Sequence, residues 1–225
     1  MEIFPVAHIE TDFPEKFGIP RQSGLAGSLK ARVIFEPQYA PEAFRGLEQF
    51  SHIWLLWEFS EAEYRSPTVR PPRLGGNKRV GVFATRSPFR PNRLAMSAVK
   101  LEEIEHTPQG TIIHVSGADL MNGTPIYDIK PYLPYVDSIP TASNGFAAAD
   151  GRELLRVELP AELSEMVPEE KREALLEVLA QDPRPQYQHS PERVYTMSFA
   201  GMEVSFRVDN NLLTVIDIVN DSAAT

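Results

Sequence analysis

In DIKPYLPY (residues 128 to 135), Asp128, Lys130 and Tyr132 fall at every second position. On an extended strand that spacing puts their side chains on one face. Pro131 and Pro134 stiffen the exit, so the group would be held in fixed geometry. A carboxylate beside an ammonium can orient or accept a proton; a surface ion pair at a strand end is the plain alternative. A second group of residues suits anions. In GVFATRSPFRPNRLAMS (residues 81 to 97), Arg86, Arg90 and Arg93 surround Pro88 and Pro91 with no acidic residue among them. The prolines favour an extended arch, and the planar guanidinium fork donates in pairs to phosphate or carboxylate. Pro20-Arg21-Gln22, and Asp119 followed by an Asn-Gly-Thr-Pro turn, are two further stretches whose residue types folding alone does not require.

The arginines belong to a larger segregation of charge. The chain has 225 residues and a formal net charge of -9, which on average repels a polyanion. Yet positions 65 to 100 hold nine Lys and Arg and no Asp or Glu, leaving 13 of the 22 basic residues for the rest, against all 31 acidic ones. A basic island in an acidic chain directs an anion to one place.

Several chemistries are excluded. There is no cysteine, which removes thiolate catalysis, cysteine zinc sites and disulfides. No Gly-x-Gly occurs, so the dinucleotide fingerprint is missing, and Gly76-Asn77-Lys78 is not a phosphate-binding Walker loop. His8, His52, His106, His114 and His189 show no metal-ligand spacing, so no metal is expected. No apolar run approaches the roughly 20 residues of a membrane helix, and the alternating N-terminus is read as a strand rather than a signal peptide. A cytoplasmic protein with no membrane partner is expected.

Period-2 patterning predicts strands near residues 3–9, 28–35, 52–59, 79–85, 94–104, 111–116 and 124–128. Asn122-Gly123 reads as a hairpin turn. Seven short strands with hardly any helix predict a mostly antiparallel β-barrel in a first domain, residues 1–142. The small, polar stretch TASNGFAAADG (141 to 151) reads as a boundary. In the second domain, residues 151–225, an amphipathic helix over 168–181 would bury Ala174, Leu175, Val178 and Leu179. Three strands over 193–199, 202–208 and 211–218 complete an α+β unit.

FSHIWLLWEF (50 to 59), RPPRLGGNKRVGVFATRSPFRPNRLAMS (70 to 97), NGTPIYDIKPYLPY (122 to 135) and VLAQDPRPQYQ (178 to 188) together resemble the TrmO family, also called TsaA-like or YaeB-like. The likeness covers nearly the whole chain, with the motifs in family order. It implies a homodimeric, S-adenosylmethionine-dependent tRNA methyltransferase built on a β-barrel rather than a Rossmann sheet. Its implied reaction is N6-methylation of N6-threonylcarbamoyladenosine at position 37, beside the anticodon of threonine tRNA. By motif, Pro20, Arg21, Gln22, Phe59, Ser60, Arg86, Met96, Gly117, Ala118, Asp119 and Leu120 resemble the cofactor shell, and Asp128, Lys130 and Tyr132 the catalytic group. The island residues Arg70, Arg73, Lys78, Arg79, Arg90 and Arg93 would meet tRNA phosphates. One departure stands out: many relatives read Arg-Pro-Asn-Pro-Ile-Gly where this chain has Arg90-Pro91-Asn92-Arg93-Leu94-Ala95. A methyltransferase for another RNA or a small molecule, and a non-catalytic RNA-binding module, are the competing readings.

Overall fold

The computed structural model describes residues 2–71, 74, 78–147, 154–185 and 190–220. Strands β1 (Ala7–Glu10), β2 (Lys30–Phe35) and β3 (His52–Glu58) are followed by a two-residue pair, β4 (Thr68–Val69) and β5 (Val80–Gly81). Three longer strands follow: β6 (Leu94–Thr107), β7 (Gly110–Ser116) and β8 (Pro125–Pro131). Six of these close into a barrel in the order β1-β2-β7-β6-β3-β8, all neighbours antiparallel. Closure leaves no unpaired edge. Alternation fills the interior: Ile53 and Leu55 are fully enclosed and Trp57 nearly so, with Val33, Val99, Ile113 and Ile126 from four other strands of the barrel. The intervening Trp54, Leu56 and Glu58 face outward and are half-buried.

Three expectations need correction. Asn122-Gly123 does not join two paired strands, because β8 bonds to β1 and β3 and not to β7. Residues 117–121 instead cross the barrel end, with Ala118 and Leu120 buried as a plug. Asn122 and Gly123 then donate their amides to Phe13 and Ile9 carbonyls, and this fixes the start of β8. The strand expected over 79–85 lasts only Val80–Gly81 before a 3-10 turn at Val82–Ala84. Its alternation misled because only Val82 is buried, whereas Phe83 is 78% exposed. The first strand begins at Ala7, as Pro5 has no amide for the ladder.

After a short helix, α1 (Pro134–Asp137), the C-terminal part comprises β9 (Arg156–Glu158), α2 (Ala161–Ser164), α3 (Glu169–Ala180), β10 (Tyr195–Phe199), β11 (Met202–Asp209) and β12 (Leu212–Asn220). Helix α3 buries Ala174, Leu175, Val178 and Leu179, the face that its sequence predicts. The sheet order is β10-β11-β12-β9, with the unforeseen β9 parallel to β12. This second core takes in Phe13, Ala26 and Leu29 from the barrel's own loops. Lys171 on α3 pairs with Asp12 at 2.6 Å, and Ser28 donates its amide to Glu177 at 2.8 Å. The C-terminal part is therefore packed onto the loop that precedes β2.

Candidate active site

A cavity of about 810 Å³ opens at one end of the barrel. One wall is the loop carrying Pro20, Arg21 and Gln22. Two close approaches hold that loop. A Cβ on Gly18 would lie 2.9 Å from Met197 Sδ, and one on Gly117 would lie 3.3 Å from Gly24 Cα. Both glycines have positive φ, so backbone shape and lack of a side chain are required together. The C-terminal part adds a polar tether, Arg21 Nη2 donating to the Arg184 carbonyl at 3.3 Å. Arg184 is itself buried and donates to Asp182 through Nε (2.8 Å) and Nη2 (3.0 Å).

The second wall is the end of β3, where Phe59 packs edge-on against Trp57 with ring centroids 4.5 Å apart and Ser60 follows. The third is the arch, with Arg86, Phe89 and Arg90 leading into Leu94 and Met96 on β6. Arg86 Nη1 donates to Gln22 Oε1, which joins the first wall to the third.

Asp119 forms the floor. Its Oδ1 accepts from Ser97 Oγ at 2.5 Å, and Ser97 accepts from Trp57 Nε1 at 3.0 Å. Burial raises the Asp119 pKa above the usual carboxylate range, opposed by the Ser97 hydrogen bond, backbone donors and the charge of Arg86. A desolvated carboxylate facing a cavity stabilises a cation placed there, and Arg86 can receive an anion. With aromatic and thioether walls, the cavity fits a ligand carrying a cation, a carboxylate and a ring together.

Most of the residues expected to hold a cofactor thus converge: Pro20, Arg21, Gln22, Phe59, Ser60, Arg86, Met96 and Asp119 all line the cavity. Gly117, Ala118 and Leu120 do not, being buried behind it, where they set the path of the chain around Asp119. Of the expected catalytic group, Lys130 lines the cavity and holds Asp128 at 2.8 Å. Asp128 and Tyr132 lie just outside; Tyr132 packs against Trp54, ring centroids 5.4 Å apart. Sequence reading overlooked Trp54, Trp57 and Ser97. The outward phase of β3 could have picked out Trp54, but the Trp57–Ser97–Asp119 chain needs the fold.

The basic island divides. Arg70 and Lys78 are exposed beyond the cavity, and Arg73 lies outside the described residues. Arg79 grips Thr68 and Ser66 across the β4–β5 pair. Arg90 donates to the Thr85 carbonyl at 2.8 Å and lies 6.0 Å from the Phe83 ring centre. Arg93 pairs with Glu58 at 2.5 Å and donates to the carbonyls of Ala62 and Ser60. It fastens the strand end that carries Phe59 and Ser60. Among the described residues, no cluster of His, Asp or Glu is able to hold a metal, and no helix is long and apolar enough to cross a membrane.

Comparison with known proteins places this geometry. Residues 8–138 match the tRNA-methyltransferase O N-terminal domain, and residues 152–221 the TrmO C-terminal domain. The chain is 43% identical over 212 residues to a tRNA (adenine(37)-N6)-methyltransferase of Escherichia coli K12, covering 89% of this chain and 90% of that protein. It is 40% identical over 228 residues to the putative S-adenosylmethionine-dependent methyltransferase RcsF of Pseudomonas aeruginosa, with 96% of each covered. A crystal structure of TrmO from P. aeruginosa superposes with a TM-score of 0.80 at 34% identity, over 98% of this chain and 97% of that one. The sequence motifs, the closed barrel and both domain matches agree: this chain belongs to the tRNA-methyltransferase O family.

Proposed function

We propose that this protein is an S-adenosylmethionine-dependent tRNA methyltransferase acting on N6 of the adenine at position 37, with N6-threonylcarbamoyladenosine of threonine tRNA as its substrate. The observation that carries the reading is one cavity that Asp119, Arg86 and Lys130 all line. Asp119 would hold the cofactor's ammonium, Arg86 its carboxylate, and Phe59 and Met96 its adenine. When bound, S-adenosylmethionine supplies an electrophilic methyl group on a sulfonium.

The acceptor nitrogen is a weak nucleophile, its lone pair delocalised into the purine and the carbamoyl group. Alignment in the cavity therefore has to supply most of the rate, and positioning can lower a barrier by roughly 7 to 11 kcal/mol. Asp128 would orient the N6–H or accept its proton, a contribution of about 10²- to 10⁴-fold. Lys130, 2.8 Å away, holds that carboxylate in place. Tyr132 backs this group through its contact with Trp54.

Exposed Arg70 and Lys78, and Arg90 at the cavity edge, would neutralise phosphates of the anticodon stem-loop. A homodimer, a cytoplasmic location and a division into residues 1–142 and 151–225 belong to the same proposal. Mass spectrometry of tRNA nucleosides before and after incubation with enzyme and S-adenosylmethionine tests it. The expected product is a 14 Da gain on N6-threonylcarbamoyladenosine, since one H is exchanged for CH3. Methylation of unmodified adenine-37 alone would remove the threonylcarbamoyl requirement. No change in any tRNA would overturn the reading.

A further inference from the structure

The cavity does not end at the barrel mouth. It runs over the rim onto the outer face of β3, where Trp54, Leu56, Met96 and Lys130 line it. Strand register orders this surface in rows: Glu58 beside Leu94, then Leu56 between Met96 and Asp128, then Trp54 between Ala98 and Lys130. At about 3.3 Å per residue, Trp54 lies roughly 13 Å along the strand from Glu58.

The indole of Trp54 is held rigidly. Its Nε1 donates to Asp137 Oδ2 at 3.0 Å, and the same oxygen accepts the Leu133 amide at 2.8 Å, so α1 fixes both. Tyr132 packs beside it, and His52 beside Tyr132, ring centroids 6.3 Å apart. Its neighbour on β6 is Ala98, whose methyl group leaves room above the sheet. Leu94 and Met96 continue the apolar surface, 46% and 54% exposed. A half-buried tryptophan with its polar atom already bonded, bordered by a lysine on one side and apolar groups on the other, suits a flat ring with polar edges.

We propose that Trp54 is the stacking face for the target nucleobase, which leaves its own stack in the anticodon loop and lies along β3 with its reactive edge toward Lys130 and Asp128. This rests on the functional reading above and assigns its acceptor subsite. Single-stranded RNA is read by aromatic side chains that stack on splayed bases, and chemistry on a base requires its extrusion. The occupant is a purine of the RNA. The lysine and Arg90 that share the cavity supply the positive charge that an RNA strand needs.

The test uses the full-length protein with W54A, W54L and W54F, read by steady-state methylation of tRNA and by equilibrium dialysis of S-adenosylmethionine. Loss of a stacked base costs about 10- to 100-fold, so W54A and W54L should raise the tRNA KM by that factor. W54F should stay within a few-fold of wild type, and the cofactor Kd should not move in any variant. Trp57 is 7% exposed, so tRNA should quench the emission of Trp54 selectively, and this quenching should vanish in W54F. A wild-type KM in W54L would overturn the proposal, because bulk alone would then suffice. A cofactor Kd weakened in parallel with KM would reassign Trp54 to the cofactor, and dissociation of a dimer by W54A in light scattering would make the surface a subunit interface. Either result overturns it. If the wild-type enzyme methylates no tRNA, both readings fall; if it does and W54L is unaffected, only this one does.

Discussion

Ser97 Oγ donates to Asp119 Oδ1 at 2.5 Å, and the same hydroxyl oxygen accepts from the indole of Trp57. A strand residue thereby aims a carboxylate, carried by a crossing segment, into the cavity. The arrangement costs stability. Burial raises the Asp119 pKa, so between the ordinary carboxylate value and the raised one the folded state keeps a proton that the unfolded chain releases. Stability therefore falls as pH rises through that window.

Asp119→Asn should remove this fall, leaving the protein at least as stable near neutral pH while weakening S-adenosylmethionine binding by about tenfold or more, the worth of a charge-assisted hydrogen bond. In the wild type, affinity should drop as pH falls through the raised pKa, because a cationic ligand selects the ionised carboxylate. Calorimetric titration across pH and thermal melts check both. An affinity independent of pH would remove Asp119 from the cofactor site.

Arg184→Ala should destabilise the protein by about 1–3 kcal/mol, since it strips Asp182 of a two-point partner. It should also loosen Arg21, which leans on the Arg184 carbonyl. The expected result is a lower melting temperature together with a several-fold weaker cofactor Kd. Arg184→Lys should rescue little, because an ammonium cannot reproduce the planar fork. Unchanged cofactor affinity in a destabilised variant would uncouple the two parts.

Asp128→Ala and Lys130→Ala should lower kcat by about 10²- to 10⁴-fold if Asp128 handles the proton. Cofactor Kd should change little, because the role assigned to the pair concerns the acceptor base and not the cofactor. Single-turnover methylation with saturating S-adenosylmethionine is the measurement. Wild-type rates in either variant would end the assignment.

Arg70→Ala and Lys78→Ala should each reduce the slope of log affinity against log salt for tRNA by about one and leave melting temperature unchanged. Arg93→Ala should do the reverse. Its guanidinium is committed to Glu58 and two carbonyls, so its loss should lower melting temperature and disturb Phe59 and Ser60. Filter binding across a salt series, paired with melts, separates these outcomes.

Local patterns were legible where a single element sufficed. Helix α3 shows its buried face in the spacing of Ala174, Leu175, Val178 and Leu179, because one helix repeats every 3.6 residues whatever surrounds it. Strand β3 shows as a run of apolar and aromatic residues at 53–57, although which of them face inward is set by the barrel. The spacing of Asp128 and Lys130 foretold their ion pair, since residues two apart on a strand share a face. The missing glycine fingerprint argued against a Rossmann sheet, and the chain forms a closed barrel instead.

The fold alone determined what depends on distant partners. Asn122-Gly123 has the chemistry of a hairpin, yet barrel closure gives β8 to β1 and β3. Arg93 reads as one more island cation, but Glu58, 35 positions earlier, comes within 2.5 Å and engages it. Arg21 and Arg184 stand 163 residues apart and meet because the C-terminal sheet packs Met197 against Gly18. The sequence by itself determined the kinds of element, the family and the residue types available for chemistry, all of which are encoded in short-range periodicity and motif. Only the tertiary structure decided which of those residues share a cavity, because register and packing, not proximity along the chain, set distances between side chains.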